Sequence, residues 1–499
     1  MTSLSQCKPV SNLSQSGRLN FLLKDVIIYG GATAISRAMA LFTFPLLARH
    51  LSIEEYGVLD YFLVLGSFLS IFFIFGQDSA VARFFYEYEE THIRQQLISQ
   101  SLLFQLLGLV LLLPVLWLGA EWLTSFMIAA PERVELFKIV LLQLPSLLLI
   151  SFSQNLLKWT FARTRFLIIS IGFTVVQASL LVVAIQIFDV GIMGVLVVSL
   201  ASSTALGILG LFFVRKWLAY PKDLSRIREM LTYSIPIGIV CIISALLPTL
   251  ERTFTESLLG ADSLGLYAAG TKVAMLMGLL VSAFQIAWGP FHLSIYKQTD
   301  AINTYNWVLK LFALAVCIAA LSLGLLAKFI ILLLATERYL GAVVVVFPLA
   351  MGLAIQATGW ITEIGIGISK RSYFNLYAFG VAILFTLGGI LLFTPIYGLL
   401  GVGLGVLSGQ IAKVISASWL GQHSYRMPWN YAPVVVLMSI TLLSGFVTAW
   451  ITEQYGMLVG NLITGVILLL TIVGGWLILF SEDERIIMKL MLKRRLFNR

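Results

Sequence analysis

Fourteen apolar stretches of helix length dominate this chain and leave it few ways to fold. They run over about 22–47, 51–77, 97–118, 138–158, 166–187, 192–214, 234–252, 265–289, 307–334, 341–366, 373–394, 398–420, 433–451 and 457–480. A helix needs roughly 17 to 25 such residues to cross a bilayer. With 59% hydrophobic and 11% charged residues and a mean hydropathy of +0.95, the chain lacks the polar cover a water-soluble exterior requires. The runs show none of the short alternation of a β-barrel. The expectation is an all-α polytopic membrane protein with 14 transmembrane helices.

The segment from Arg215 to Tyr233 divides these stretches, with six before it and eight after. It carries Arg215, Lys216, Lys222, Arg226 and Arg228, which hydrocarbon would tolerate only at high cost, so it is expected at a membrane surface. The even count puts both termini on one side. Basic turns at 158–165, 215–228 and 370–371 collect on that side, whereas the outer connections hold Arg49, Arg133, Lys138, Arg252 and Arg338. The bias of Lys and Arg makes that side cytoplasmic. It also accounts for the net charge of +9, which is therefore no sign of nucleic-acid binding. Residues 1–20 are polar, without the pattern of a cleaved signal peptide, and are expected to be disordered. Cys7, Cys241 and Cys317 are scattered and the four histidines fall in connections, so neither a disulfide framework nor a metal site is expected.

The halves share spacings. Leu51, Gly57, Gln77 and Tyr88 recur 208 residues later as Leu259, Gly265, Gln285 and Tyr296. Gly191 and Gly194 recur as Gly398 and Gly401, and Pro145 has a counterpart in Pro348. A repeat of six helices preserves orientation, so two parallel bundles are expected. The expected division is a cytoplasmic N-terminus (1–20), a six-helix bundle (21–214), a basic connector (215–232), a second six-helix bundle (233–420), two further helices (421–480) and a basic cytoplasmic tail (481–499). Paired parallel bundles suit alternating access.

Charges inside the apolar segments are few, and each needs a reason. Arg37 lies near the middle of the first; lipid exposure would cost at least about 2.5 kcal/mol. It either closes an ion pair or faces a hydrated cavity. Lys272 and Lys413 either face the same cavity or extend to the interface. Glu251 and Arg252 are adjacent, so on a helix they face apart and need separate partners. Glu363 sits toward the inner end of the tenth segment. Gln77, Gln154, Gln177, Gln285, Gln356 and Gln410 add amides suited to sugar binding or to bonds between helices. Set against Glu251 and Glu363, the cations Arg37, Arg252, Lys272 and Lys413 are in excess, which favours an anionic substrate such as a phosphate or pyrophosphate.

Arg37, Phe44-Pro45, Leu46, Arg49, Leu51, Glu55-Tyr56-Gly57 and Leu59, followed by Glu251-Arg252, Leu259-Gly260 and Leu264-Gly265-Leu266-Tyr267, carry a resemblance. The chain resembles the polysaccharide flippases (O-antigen and exopolysaccharide) of the multidrug/oligosaccharidyl-lipid/polysaccharide exporter superfamily, over residues 20–480. Relatives often have aspartate before the arginine where this chain has Glu251. The resemblance implies a transporter without a cofactor in a bacterial plasma membrane. Its cargo would be an undecaprenyl-pyrophosphate-linked oligosaccharide moved from the inner to the outer leaflet. Arg37, Arg252, Lys272 and Lys413 would hold the pyrophosphate, and Glu251 and Glu363 would serve coupling or ion pairing. It also implies proton or sodium coupling, which no residue here distinguishes, and work beside a polysaccharide polymerase and export machinery.

A multidrug or other lipid exporter is the nearest alternative, although an exporter of cations would more naturally carry embedded carboxylates. A membrane-embedded polymerase or glycosyltransferase fits less well, because the longest outer connection, about 119–137, offers little catalytic equipment. The topology carries its own test: reporters fused after residues 125 and 160 should report outside and inside, and the same compartment for both would break the map.

Overall fold

In the computed structural model, residues 31–128, 133–221, 224–295, 298, 301–369, 371, 373–482 and 484–485 are described. The expectations for residues 1–20, for Lys222 and Lys370 and for the basic tail beyond 485 lie outside them. The chain is an all-α polytopic membrane protein. Among the described residues, twelve helices are long and apolar enough to cross a bilayer. Seventeen α-helices are described: α1 Gly31–His50, α2 Ile53–Ile74, α3 Gln77–Glu87, α4 Thr91–Leu118, α5 Ala120–Ile128, α6 Val134–Trp159, α7 Arg163–Phe188, α8 Ile192–Val214, α9 Ser225–Ala274, α10 Met277–Ile295, α11 Ala301–Leu334, α12 Val343–Thr362, α13 Ile364–Ile368, α14 Tyr373–Tyr397, α15 Leu399–Ser424, α16 Ala432–Tyr455 and α17 Met457–Leu479.

Three features depart from the sequence reading. The charged stretch after Gln77 is not a bare connection but the amphipathic helix α3, entered through Phe75 and Gly76 in the left-handed region. The connection after Leu118 begins with the short helix α5. The seventh segment and the start of the eighth are two helices that meet without a connecting loop at a kink at Gly260 (φ 82°, ψ 173°), and together they make up α9. That backbone geometry is open essentially to glycine alone. α1 and α10 are not among the twelve spans.

The chain divides into two compact units, Met1–Ala268 with Leu334–Thr336, and Ala269–Leu333 with Glu337–Arg499. Residues 225–268 thus belong with the first.

In the first unit α2 begins with a capping box, in which Ser52 Oγ accepts from the Glu55 backbone and Glu55 accepts from the Ser52 backbone. This fixes the helix start, and with it the depth of every later α2 residue. α6 and α8 meet along a seam of small and polar residues. Gln143 donates to Ser199 (2.7 Å), the Ser146 and Ser203 hydroxyls pair (2.8 Å), and Gly207 lies against Ser146. Lipid supplies little drive for helix association, so close backbones and hydrogen bonds supply it instead. Gln77 ties three elements, donating to Ser234 on α9 (3.0 Å) and accepting from Ser101 on α4 (3.2 Å). α2 also meets the part of α9 after its bend, where a Cβ on Gly57 would collide with the Gly265 backbone and one on Gly265 with the Ile53 carbonyl.

In the second unit α14 and α15 pack backbone to backbone. Gly405 faces Ile390, Gly401 faces Phe393, and Gly403 meets Pro348 of α12. An aromatic run, Phe284, Phe312, Trp288, Tyr305 and Trp429, joins α10, α11 and the turn before α16. Lys310 donates to both Glu484 oxygens (2.8 and 2.9 Å), tying the residues after α17 to α11. Burial raises the Glu484 carboxyl, but the bonds from Lys310 and Ser481 prevail and hold it below the usual carboxylate range.

Gly265→Val should force α2 off α9 and destabilise the protein by about 1–3 kcal/mol. Thermal unfolding of detergent-purified protein would show it as a lower Tm, whereas Gly278→Ala, which meets nothing within 4 Å, should leave Tm unchanged.

Candidate functional site

The first unit buries a cluster of charges. Asp60 lies on α2, two turns beyond its cap, and Arg252 lies on α9, two turns before the bend. Both are almost completely buried, at 1% and 2% exposure. Arg252 Nε donates to Asp60 Oδ2 at 2.8 Å, Nη2 lies 2.7 Å from the same oxygen, and Nη1 donates to the Pro248 carbonyl at 3.1 Å. The guanidinium carbon stands 5.7 Å from the centre of the Tyr267 ring. Tyr267 in turn donates its hydroxyl to Glu251 Oε2 at 2.7 Å. Glu251 and Arg252 therefore take separate partners. Beside them the Tyr61 and Thr253 hydroxyls pair at 2.9 Å. Asp60 pairs with the guanidinium, and Glu251 acts on it electrostatically without bonding it, so a proton or small cation taken up here would balance the charge. Farther along α9, Glu256 receives Arg133, which also reaches Glu54 at 3.2 Å.

The second unit has its own buried cation. Lys413 on α15 is 5% exposed, with its ammonium 4.3 Å from the centre of the Phe379 ring. A cation over an aromatic face is attracted by the ring quadrupole. Glu363, at the break between α12 and α13, attracts Lys413 electrostatically without reaching ion-pair distance. Lys272, in the last turn of α9, belongs to the same unit, is half-buried and is engaged by other groups. Arg37 lies on α1, and its side chain is outside the described residues. Among the described residues no group of histidine, cysteine, aspartate and glutamate could hold a metal ion.

Asp60 is the residue that sequence reasoning missed. The excess of embedded cations was reckoned without it, and Arg252 is in fact neutralised by it. The signal was a single aspartate inside an apolar segment, which by cost alone implies a partner. The glutamines divide as well: Gln77 and Gln177 bond serines on neighbouring helices.

The fold is one of membrane transporters rather than of any enzyme. It resembles lipid II flippase MurJ in an inward closed conformation, with a TM-score of 0.70 and 16% identity over 89% of this chain and 98% of that one. A multidrug resistance MATE transporter of the MOP superfamily matches in its inward-facing form at 0.60 and 15% identity, covering 78% of this chain and 97% of that one. At these identities the likeness is one of fold. A Haemophilus influenzae protein of the Lsg locus is 23% identical over 331 residues, 64% of this chain and 78% of that protein. The family model described as "Polysaccharide biosynthesis protein" matches residues 22–296, more than half of the chain. The chain therefore belongs to the polysaccharide biosynthesis protein family, within the multidrug/oligosaccharide/polysaccharide (MOP) flippase and exporter superfamily.

Asp60→Asn should leave Arg252 buried without its counter-charge, at a cost of about 3–5 kcal/mol. Thermal unfolding would read this as a large drop in Tm. Asp60→Leu combined with Arg252→Met, which removes both charges, should recover most of it.

Proposed function

We propose that this protein carries an undecaprenyl-pyrophosphate-linked oligosaccharide from the inner to the outer leaflet by alternating access. Membership of the polysaccharide biosynthesis family carries this reading. The likeness in fold to a lipid II flippase supports a lipid-linked cargo. In this reading the chain crosses the bilayer fourteen times with both termini cytoplasmic. Two parallel six-helix bundles, 21–214 and 233–420, flank the connector 215–232, and the last two helices are an addition. Supporting the repeat, Gly191 and Gly398 each cap a helix start, and Pro145 and Pro348 each lie inside a helix.

Arg37, Lys272 and Lys413 supply the positive field for the pyrophosphate. Arg252 joins it only when its pair with Asp60 separates. Glu251, hydrogen-bonded to Tyr267 beside that pair, is the coupling carboxylate in the first unit, and Glu363 is its candidate counterpart in the second. Proton or sodium uptake at Glu251 would change the balance around Arg252. A polymerase and export machinery would receive the flipped glycan. The MATE likeness favours a second reading, export of small molecules.

The deciding experiment follows a defined lipid-linked oligosaccharide across reconstituted vesicles. Arg37→Ala should abolish most transport while leaving insertion intact. Arg37→Lys should keep partial activity if charge dominates and little if the paired donors of the guanidinium are needed. Full translocation by Arg37→Ala would remove that residue from the site. Export of soluble cations by the wild type without any glycan transport would establish the second reading.

A further inference from the structure

The second unit contains a cavity of about 490 Å³ between α11, α12, α15 and α16. Its walls are apolar and include Leu309, Ile355, Ile411, Val414, Val434 and Met438. Of the polar residues that reach it, Thr358, Thr362, Ser418 and Gln422 are already committed. Thr358 donates to the Ile355 carbonyl (2.8 Å), and the Thr362 and Ser418 hydroxyls pair (2.6 Å). Gln422 accepts from the Met427 amide (3.0 Å), and its amide donates to the Met427 carbonyl (2.7 Å) and the Tyr431 hydroxyl (3.1 Å). The cavity therefore offers an occupant apolar contact. Ile415 and Val435, 64% and 57% exposed, stand at its rim.

A second recess, also about 490 Å³, adjoins it and shares Trp419 and Gln422. Here the lining changes character: His423 and Arg426, both exposed, join Met427 and Pro428. Among the described residues no aspartate or glutamate lines either recess. Trp419 stacks on His423, with ring centres 6.2 Å apart, and Trp429 and Tyr431 follow in the connection to α16. Such aromatic clusters settle at the boundary between hydrocarbon and head groups. An apolar chamber thus opens beside a cationic recess at interfacial depth.

We propose that this pair of recesses holds one anionic glycerophospholipid, an acyl chain in the chamber and the phosphate beside Arg426 and His423. Three observations select this occupant. The guanidinium fork of Arg426 suits phosphate oxygens. Among the described residues no lining carboxylate offsets Arg426, whose charge favours a net negative lipid. The chamber is on the scale of a single fatty-acyl chain, whereas an undecaprenyl tail is several times larger. The site lies wholly within the second unit, and the inference stands without the transport reading.

Native mass spectrometry of the full-length protein in mild detergent tests it, with phosphatidylglycerol, phosphatidylcholine or undecaprenyl phosphate supplied at equal concentration. The wild type should retain one phosphatidylglycerol, several-fold more than phosphatidylcholine. Arg426→Ala should bring the two lipids to the same level. Met438→Trp, which fills the chamber, should lose both, and Met438→Leu should keep them. Ile415→Trp narrows the rim from its exposed side and replaces Met438→Trp if that variant lowers Tm. Equal retention of both phospholipids by the wild type overturns the proposal. So does retention of phosphatidylglycerol unchanged by Arg426→Ala and the filling variants, or its displacement by undecaprenyl phosphate.

Discussion

A protein in lipid has no water to satisfy its buried polar groups, so each must find a partner within the chain. The Asp60–Arg252 pair is the strongest expression of that constraint here. Its two members are 192 residues apart in sequence and almost fully buried. Neither could remain charged there alone, so α2 and α9 must meet at this depth. The capping box at Ser52 sets the position of Asp60 along α2, and the contact of Gly57 with Gly265 holds α2 beside the segment after the bend. Gln77 and its two serine partners repeat the logic with neutral groups.

The two units use their buried charges differently. In the first, Asp60 pairs with Arg252, the Arg252 guanidinium stands near the Tyr267 ring, and the Tyr267 hydroxyl donates to Glu251, so one charge can be exchanged only by disturbing its neighbours. In the second, Lys413 rests on an aromatic face with Glu363 near but not bonded. A run of such contacts has discrete arrangements. A cation on a ring keeps its charge available while its desolvation is partly offset.

The spans were largely legible because hydropathy over twenty residues is a local property, and lipid makes it decisive. α3 and α5 were not, because short amphipathic helices carry no such run. The kink at Gly260, where the seventh and eighth segments meet, depends on one residue's backbone angles, which composition does not reveal. Glu251 and Arg252 stood out as adjacent charges in an apolar stretch. Asp60 did not, because it follows the polar start of its segment, where Glu54 and Glu55 make one more acid unremarked. Its pairing with Arg252 is a tertiary fact that no spacing encodes.

The bend at Gly260 also decides what that position can hold. A straight helix of 50 residues would extend about 75 Å, more than twice a hydrocarbon core of roughly 30 Å. The space around a Cβ at this position is open, so crowding sets no limit on its side chain. The limit lies in the backbone, whose φ of 82° and ψ of 173° suit glycine and strain any other residue. A substitution there would therefore act through the main chain alone, favouring whichever straighter path removes the strain.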